Sequence, residues 1–108
     1  MQRTGTLEQF EQLVLAAVVA VPNGYAVSIH TQVEKFAGRS VKFGPVYSAL
    51  NRMEGKGYVR SWRDPSIPQS AGRPKRYYKI LPPGVSVLKD SLRTAARVLA
   101  QLKAAGFV

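Results

Sequence analysis

Two short segments rich in aromatic and β-branched residues limit most strongly how this chain can fold. They run from Tyr58 to Asp64 and from Lys75 to Leu81, and a loop rich in proline, serine and glycine separates them. Segments of this kind pair as strands when a turn-rich loop joins them. Because the rest of the chain follows helical spacing, we predict one two-stranded hairpin with a long tip.

Helical spacing of apolar residues indicates two helices near the start of the chain. The first is predicted to begin at a capping box formed by Thr6 and Gln9 and to end before Pro22. Its second half is apolar nearly all round, so it must be buried on more than one side. The second helix is predicted from Tyr25 to Ala37, with Gly38 capping its C-terminus. Its inward face would carry Ala26, Ile29, Val33 and Phe36.

Two further helices are predicted on either side of the hairpin. One runs from Pro45 to Lys56, since proline suits the first turn of a helix. Its inward residues would be Val46, Leu50 and Met53, and Gly55 within it should cost about 1 kcal/mol relative to alanine. Pro82, Pro83 and Gly84 are predicted to lead into the last helix, which runs to about Ala104 with apolar residues spaced alternately by three and four. They form one narrow seam of Val85, Leu88, Leu92, Ala95, Leu99 and Leu102.

The order of these elements is helix, helix, helix, hairpin, helix. Three helices followed by a hairpin are typical of the winged helix-turn-helix arrangement. We therefore predict a mainly α fold with a small β-hairpin. With 108 residues, the chain suits one compact unit. Within it, residues 1–81 would form the winged helix-turn-helix part and residues 82–108 would carry the last helix.

The chain is strongly basic, and the charge is unevenly distributed. Sixteen lysines and arginines against six acids give a net charge of +10. The segment from Arg39 to Lys79 holds ten basic residues and two acids, a net charge of +8, which leaves +2 for the remainder. Such an excess favours a polyanionic partner. The alternative is a solvated basic surface that only maintains solubility.

The scarcity of chemically versatile side chains argues against an enzyme or a metalloprotein. The chain has no cysteine and one histidine, and the spacing of its few acids does not suit catalysis. It also lacks a phosphate-loop motif. We predict neither a metal nor an organic cofactor. The longest apolar run, from Leu13 to Pro22, is too short to span a bilayer. A cytoplasmic protein that does not enter membranes is therefore expected.

Two groups of residues give the chain a family resemblance. The first group is Gly44, Val46, Tyr47, Ala49, Leu50, Arg52, Met53, Glu54, Gly57, Tyr58 and Val59. The second is Gly72, Arg73, Lys75, Arg76, Tyr77, Tyr78 and Gly84. With them, the stretch from Leu7 to Leu92 resembles the PadR family of winged-helix transcriptional regulators, and the short tail is similar to its compact branch. The chain departs from the family pattern where Lys42 and Leu81 stand in place of a capping serine or threonine.

The resemblance implies a homodimeric transcriptional regulator, most simply a repressor, that binds double-stranded DNA and that a small hydrophobic or aromatic effector could release. A helix fits the major groove, so the outward side of the third helix and the residues before it should contact DNA. These candidates are Arg39, Lys42, Tyr47, Ser48, Asn51 and Arg52. Cations at the hairpin tip should meet phosphates or the minor groove. They are Arg73, Lys75 and Arg76.

The seam of the last helix is too narrow for burial against a complete core, and the first helix has apolar surface in excess. An interface between two copies would cover both surfaces. Its predicted members are Leu13, Val14, Val18, Leu88, Leu92, Ala95, Leu99 and Leu102. The alternative is that the last helix packs on the first helix within one chain.

Other site residues also have structural alternatives. Tyr47 could pack under the hairpin, and Arg52 could pair with a carboxylate. Trp62 is expected to pack the root of the hairpin, while Tyr77 and Tyr78 must point to opposite faces of their strand. Two functional alternatives also stay open: a winged module for protein interaction, and a nucleic-acid binder without sequence preference.

Overall fold

Four helices and one hairpin make up the part of the chain that the computed structural model describes, residues 7–64 and 75–108. In chain order the elements are α1 (Gln9–Ala20), α2 (Ala26–Ala37), α3 (Phe43–Gly55), β1 (Val59–Arg63), β2 (Arg76–Ile80) and α4 (Pro82–Ala104). All six contribute buried residues to one apolar core. The predicted fold, a mainly helical winged helix-turn-helix with a small hairpin, is confirmed.

The start of α1 differs from the prediction. The backbone N–H of Glu8, the N-cap residue, donates to Oε1 of Glu11 at 3.2 Å. The capping box therefore lies at Glu8 and Glu11 rather than at Thr6 and Gln9. Thr6 lies outside the described residues. Leu15, Ala17 and Val18 in the second half of α1 are buried, as predicted, whereas Val19 and Ala20 are exposed.

α2 and α3 each turn one face toward the core. Ile29 and Val33 of α2 are fully buried. Phe36, predicted on the same face, is exposed and does not join the core. Gly38 caps α2 with a φ of 69°, as predicted. The buried residues of α3 are Val46, Ala49, Leu50 and Met53.

The hairpin is antiparallel, and its two faces have different surroundings. Tyr78, opposite Ser61, is fully buried in the core. Tyr77, opposite Trp62, lies on the other face and makes an edge-to-face contact with Tyr25 at 6.0 Å between ring centroids. The backbone N–H of Tyr78 also donates to the carbonyl of Gly24 at 3.0 Å. These contacts attach the hairpin to the start of α2.

α4 packs on the rest of the chain only near its N-terminus. Its buried residues are Gly84, Val87 and Leu88. The hydroxyl of Ser91 donates a hydrogen bond to the side-chain oxygen of Gln12 on α1. From Leu92 onward, every residue of α4 is exposed. The alternative of packing within one chain therefore describes the first half of α4, and the second half carries an uncovered apolar seam.

Three residues predicted for an interface between copies lie in the core of one chain. Val14, Val18 and Leu88 are buried among residues of their own chain. Because they have almost no accessible surface, they cannot contact a second copy, and their assignment is wrong. Leu13 is partly buried against the same core. The exposed members of the predicted set are Leu92, Ala95, Leu99 and Leu102.

Candidate nucleic-acid interface

α3 begins at Phe43, two residues before the predicted start. Lys42 is the N-cap residue, and its backbone is extended with φ −66° and ψ 146°. Pro45 is thus the third helical residue, where the missing N–H costs no hydrogen bond within the helix. The earlier start adds an aromatic side chain, Phe43, to the first turn, and sequence reasoning missed it because Pro45 was taken as the first residue.

The outward side of α3 carries small, aromatic and neutral polar side chains with one cation. Its exposed residues are Phe43, Gly44, Pro45, Tyr47, Ser48, Asn51, Arg52 and Gly55. The structure therefore places all four residues predicted on this helix, Tyr47, Ser48, Asn51 and Arg52, on its exposed side. The single carboxylate of α3 belongs to Glu54, which is turned toward the hairpin. A polyanion can approach this surface without meeting a free carboxylate of α3.

Arg52 and Lys56 share a buried carboxylate of α1. Arg52 Nε and Lys56 Nζ each lie 3.4 Å from Oε2 of Glu11, whose side chain is 1% exposed, whereas the two cations are 50% and 46% exposed. Burial alone would raise the pKa of Glu11, but the N–H of Glu8 and the two cations outweigh it and lower that pKa. The ion pair fixes α3 against α1, so the alternative given for Arg52, pairing with a carboxylate, is what the structure contains.

A second carboxylate fixes the hairpin to α3. The Ser61 hydroxyl donates to Glu54 Oε2 at 2.8 Å, and the Ser61 backbone N–H donates to the same oxygen at 3.1 Å. Arg76 Nη1 donates to the Ser61 hydroxyl at 2.9 Å. Sequence reasoning missed Glu54 and Ser61. The sequence feature that could have indicated Glu54 is the scarcity of acids in the basic segment, since it is one of only two acidic residues between Arg39 and Lys79.

The turn between α2 and α3 presents Arg39 and Lys42, and both are exposed as predicted. Two side chains of α2 hold this turn through the backbone of Val41. Glu34 Oε2 accepts a hydrogen bond from the Val41 N–H at 2.9 Å, and His30 Nε2 contacts the Val41 carbonyl. Two cations are therefore held beside the first turn of α3.

Like charges face each other across the hairpin. The strand register places Arg60 opposite Lys79 and Arg63 opposite Arg76. Directly opposed like charges destabilise a strand pair unless a counter-charge is near. Glu54 supplies one for Arg76 through Ser61, whereas Arg60, Arg63 and Lys79 are exposed. The described part of the hairpin therefore carries an excess of positive charge at its surface.

Lys75 is exposed near the tip end of β2, and its Nζ lies 4.7 Å from the ring centroid of Tyr25. Trp62 packs against Tyr77 with 6.0 Å between the ring centroids. The Arg60 guanidinium lies 5.4 Å from the centroid of the Trp62 ring. Trp62 therefore packs within the hairpin, but its pair with Tyr77 lies next to the tip end rather than at the predicted root, where Val59 pairs with Ile80. Arg73, the remaining predicted cation of the tip, lies outside the described residues.

Two further features are absent from residues 7–64 and 75–108. Over these ranges, no group of three or more histidines and acids could hold a metal ion. Nor is any helix there both long enough and apolar enough to cross a membrane.

Solved structures of transcriptional regulators share this fold. A PadR family regulator from Clostridium difficile R20291 is 26% identical with a TM-score of 0.71, and the match covers 89% of this chain and 96% of that one. A PadR-like regulator from Bacillus cereus is 22% identical with a TM-score of 0.69, over 86% of each chain. BpsR of Bordetella bronchiseptica, whose DNA binding is regulated by 6-hydroxynicotinic acid, is 16% identical with a TM-score of 0.70. That match covers 89% of this chain, which spans 64% of the length of BpsR.

The family model gives a more specific result than the fold. A search of curated proteins found no match. Residues 14–90, however, match the model described as the transcriptional regulator PadR-like family, and this range includes α2, α3, the hairpin and most of α1. The resemblance noted from sequence is thereby confirmed, and a non-enzymatic DNA-binding regulator is what the family implies. The chain belongs to the PadR-like family of transcriptional regulators.

Proposed function

We propose that this protein is a homodimeric repressor that binds a palindromic DNA operator through α3 and the hairpin, acting in the cytoplasm by occluding a promoter. The observation that carries the proposal is the hairpin, where arginine and lysine face each other across the strands beside an α3 surface without a free carboxylate. Phosphates on both sides of a groove would neutralise these charges.

The contacts to DNA divide into two kinds. Arg39 and Lys42 before α3, together with Lys75 on the hairpin, are placed to contact phosphates, which position a protein without reading sequence. Ser48 and Asn51 on the outward side of α3 are candidates for base edges, since an asparagine can pair with adenine in the major groove. Arg73 is proposed to add to the hairpin contacts.

Arg52 and Arg76 have a second role besides the predicted contact with DNA. Each is already hydrogen-bonded to its own chain, Arg52 through Nε to Glu11 and Arg76 through Nη1 to Ser61. A guanidinium carries five N–H donors in a fork, so both can use remaining donors toward phosphate while one stays bound. We propose that these arginines join the DNA contact to the packing of α3 and the hairpin.

Dimerisation would place two such surfaces on one DNA molecule. Beyond Ser91, α4 presents an exposed seam of Leu92, Ala95, Leu99 and Leu102. An amphipathic helix that extends from the core with its apolar seam uncovered gains stability by packing on another apolar surface. A second copy of α4 supplies one of the same shape and two-fold symmetry. In this proposal residues 82–108 pair two chains, and the DNA-binding part is residues 1–81.

Release by a small hydrophobic or aromatic effector is the remaining part of the proposal. Two structural neighbours support it: BpsR, and PcaV of Streptomyces coelicolor, whose structure contains its natural ligand. The likeness to PcaV is at 17% identity with a TM-score of 0.68, over 90% of this chain and 62% of PcaV.

Selection of duplexes from a random pool tests DNA recognition. We expect two half-sites related by two-fold symmetry with centres about 34 Å, one DNA turn, apart. Lys42→Glu and Lys75→Glu should each weaken binding about tenfold or more near physiological salt. Arg97→Glu is the matched control, because Arg97 lies on α4 opposite the seam, away from the hairpin. Equal binding by all four proteins would refute the assignment, and displacement by random duplex as effective as by the selected site would indicate binding without sequence preference.

The molecular mass in solution tests dimerisation separately. Leu99→Glu places a charge in the middle of the seam and should shift the protein to monomers at micromolar concentration. Arg97→Glu, which adds the same carboxylate two residues away, should leave the dimer intact. Sedimentation equilibrium distinguishes the two variants, and a dimer that survives Leu99→Glu would exclude the seam as the interface.

A further inference from the structure

Two aromatic rings are exposed together on the first half of α3. Phe43 is 38% exposed and Tyr47 is 40% exposed. Their rings are stacked, with centroids 6.2 Å apart and planes inclined by 19°. Residues four apart lie one above the other on a helix, so the pair forms one continuous apolar surface. This surface is separate from the core face of the same helix, which holds Val46 and Leu50.

The pair is held in a fixed position. The edge of the His30 ring packs on Phe43 with centroids 5.6 Å apart and planes at 76°, and His30 itself contacts the carbonyl of Val41. Phe43 is therefore supported from α2 on one side and by Tyr47 on the other. A supported ring loses little conformational freedom when a ligand covers it, so binding to such a surface carries a small entropic cost.

The position on α3 indicates what covers these rings. In helix-turn-helix proteins the N-terminal residues of the recognition helix contact base edges in the major groove. The apolar group that base pairs present in this groove is the C5 methyl of thymine, and phenyl rings are among its partners. Arg39 and Lys42, four residues and one residue before Phe43, would hold the phosphates on the same side.

We propose that Phe43 and Tyr47 form a thymine-reading surface, on which the C5 methyl groups of adjacent thymines in each half-site are buried. This inference rests on the proposed DNA binding and adds a base preference to it. Phe43 contributes the part of its ring that stays exposed, and the Tyr47 ring provides the stacked support and a second contact surface. A second copy of this chain fits the surface poorly, because Arg39 and Lys42 of both copies would be brought together.

Replacing thymine by deoxyuridine tests the proposal without changing the protein. The selected duplex is prepared in two forms, with thymine or with deoxyuridine at the half-site thymines, so that the two differ only in the C5 methyl group. The wild-type protein should bind the deoxyuridine form roughly fourfold more weakly for each methyl that is buried, because a buried methyl-sized group contributes about 0.8 kcal/mol. Fluorescence anisotropy with a labelled duplex measures the ratio.

Two variants then locate the effect. Phe43→Ala should lower the ratio of the two dissociation constants toward one, since only the Tyr47 ring then remains to cover a methyl group. Phe36→Ala is the matched control, because Phe36 is also an exposed phenylalanine but lies on α2, and it should keep the wild-type ratio. Circular dichroism verifies that both variants are folded.

The outcomes separate this inference from the proposal beneath it. Equal binding of the two duplexes by the wild-type protein, or selected half-sites without thymine, would overturn the thymine-reading surface while DNA binding stands. If Phe36→Ala lowers the ratio of the two dissociation constants as much as Phe43→Ala does, the assignment to this ring pair is wrong. If no duplex is selected at all and a protein partner covers the rings instead, the proposed function fails with it.

Discussion

The ion pair between α1 and α3 predicts an asymmetry between removing its anion and removing its cations. The carboxylate of Glu11 is 1% exposed and accepts from the Glu8 N–H, while Arg52 and Lys56 are about half exposed. In Glu11→Gln the amide oxygen can still accept from Glu8, and both cations can turn to water. The variant should therefore lose only about 1 kcal/mol of unfolding free energy.

Removing both cations leaves the carboxylate buried without a counter-charge. We expect the double variant Arg52→Met/Lys56→Met to lose about 3 kcal/mol, the usual cost of breaking a buried pair from one side. Methionine keeps the length of the side chain and a good helix propensity, so the loss should come from electrostatics. Adding Glu11→Gln to this double variant should then restore about 2 kcal/mol, because the buried charge is gone.

The pH dependence of the unfolding free energy gives a second test of the role of Glu11. The pKa of Glu11 is lowered in the folded protein, since the Glu8 N–H and the two cations outweigh the effect of burial. Its contribution is fully present above the unfolded-state pKa of glutamate, about 4.3, and is lost as the pH falls through the folded-state pKa. In the double variant burial dominates and raises that pKa, so the destabilisation should be relieved as the pH falls.

Urea unfolding followed by circular dichroism measures the unfolding free energy of the wild type, Glu11→Gln, the double variant and the triple variant. Equal concentrations of chain are needed, because the stability of a dimer depends on concentration. A loss for Glu11→Gln as large as that of the double variant, or a further loss in the triple variant, would refute the reasoning. It would mean that Glu11 stabilises the fold chiefly through packing rather than through its position beside two hydratable cations.

Two other positions give predictions with opposite signs. The hydroxyl of Tyr78 is buried without a hydrogen-bond partner in the described residues, and burial, the largest cause, raises the pKa of Tyr78 to about 12. Tyr78→Phe should raise the unfolding free energy by about 1 kcal/mol, and it should abolish the part of the alkaline destabilisation between about pH 10 and 12 that Tyr78 causes. If Tyr78→Phe instead lowers the stability measured in urea, the Tyr78 hydroxyl must have a hydrogen-bond partner in solution. Gly84→Ala should cost about 3 kcal/mol, because its Cβ would lie 2.2 Å from the carbonyl oxygen of Tyr58. Gly55→Ala is its control and should gain about 0.5 kcal/mol, since its Cβ meets nothing within 4 Å. Equal effects at the two glycines in thermal melts would contradict the close approach of Gly84 to the backbone of Tyr58.

The order and type of the elements were predictable from sequence because their signals are local. Hydrophobic spacing located all four helices, and the β-branched runs located both strands within a residue of Val59–Arg63 and Arg76–Ile80. The starts of α1 and α3 were less predictable. Glu8 and Phe43 are ordinary residues at their positions, and the more conspicuous Thr6 and Pro45 suggested other boundaries.

The candidate site was predictable as a surface but not as a set of contacts. Helical spacing separated the inward from the outward residues of α3 correctly. It could not show that Arg52 reaches Glu11, which lies 41 positions earlier in the chain, or that Arg76 reaches Ser61 across the hairpin. Nor could it distinguish burial of Val14 and Leu88 within one chain from burial between two, because both give the same apolar pattern.

The salt dependence of affinity for the selected duplex tests the central claim most directly. If Arg39, Lys42 and Lys75 of two chains each neutralise a phosphate, the logarithm of the association constant should fall with the logarithm of salt concentration with a slope of at least about −5 in magnitude, and phosphate contacts of Arg52, Arg73 and Arg76 would make it steeper. The slope should become shallower by about 2 in Lys75→Gln, which removes one contact from each chain. A slope near zero, or an unchanged slope in that variant, would contradict an electrostatic interface built from the α2–α3 turn and the hairpin.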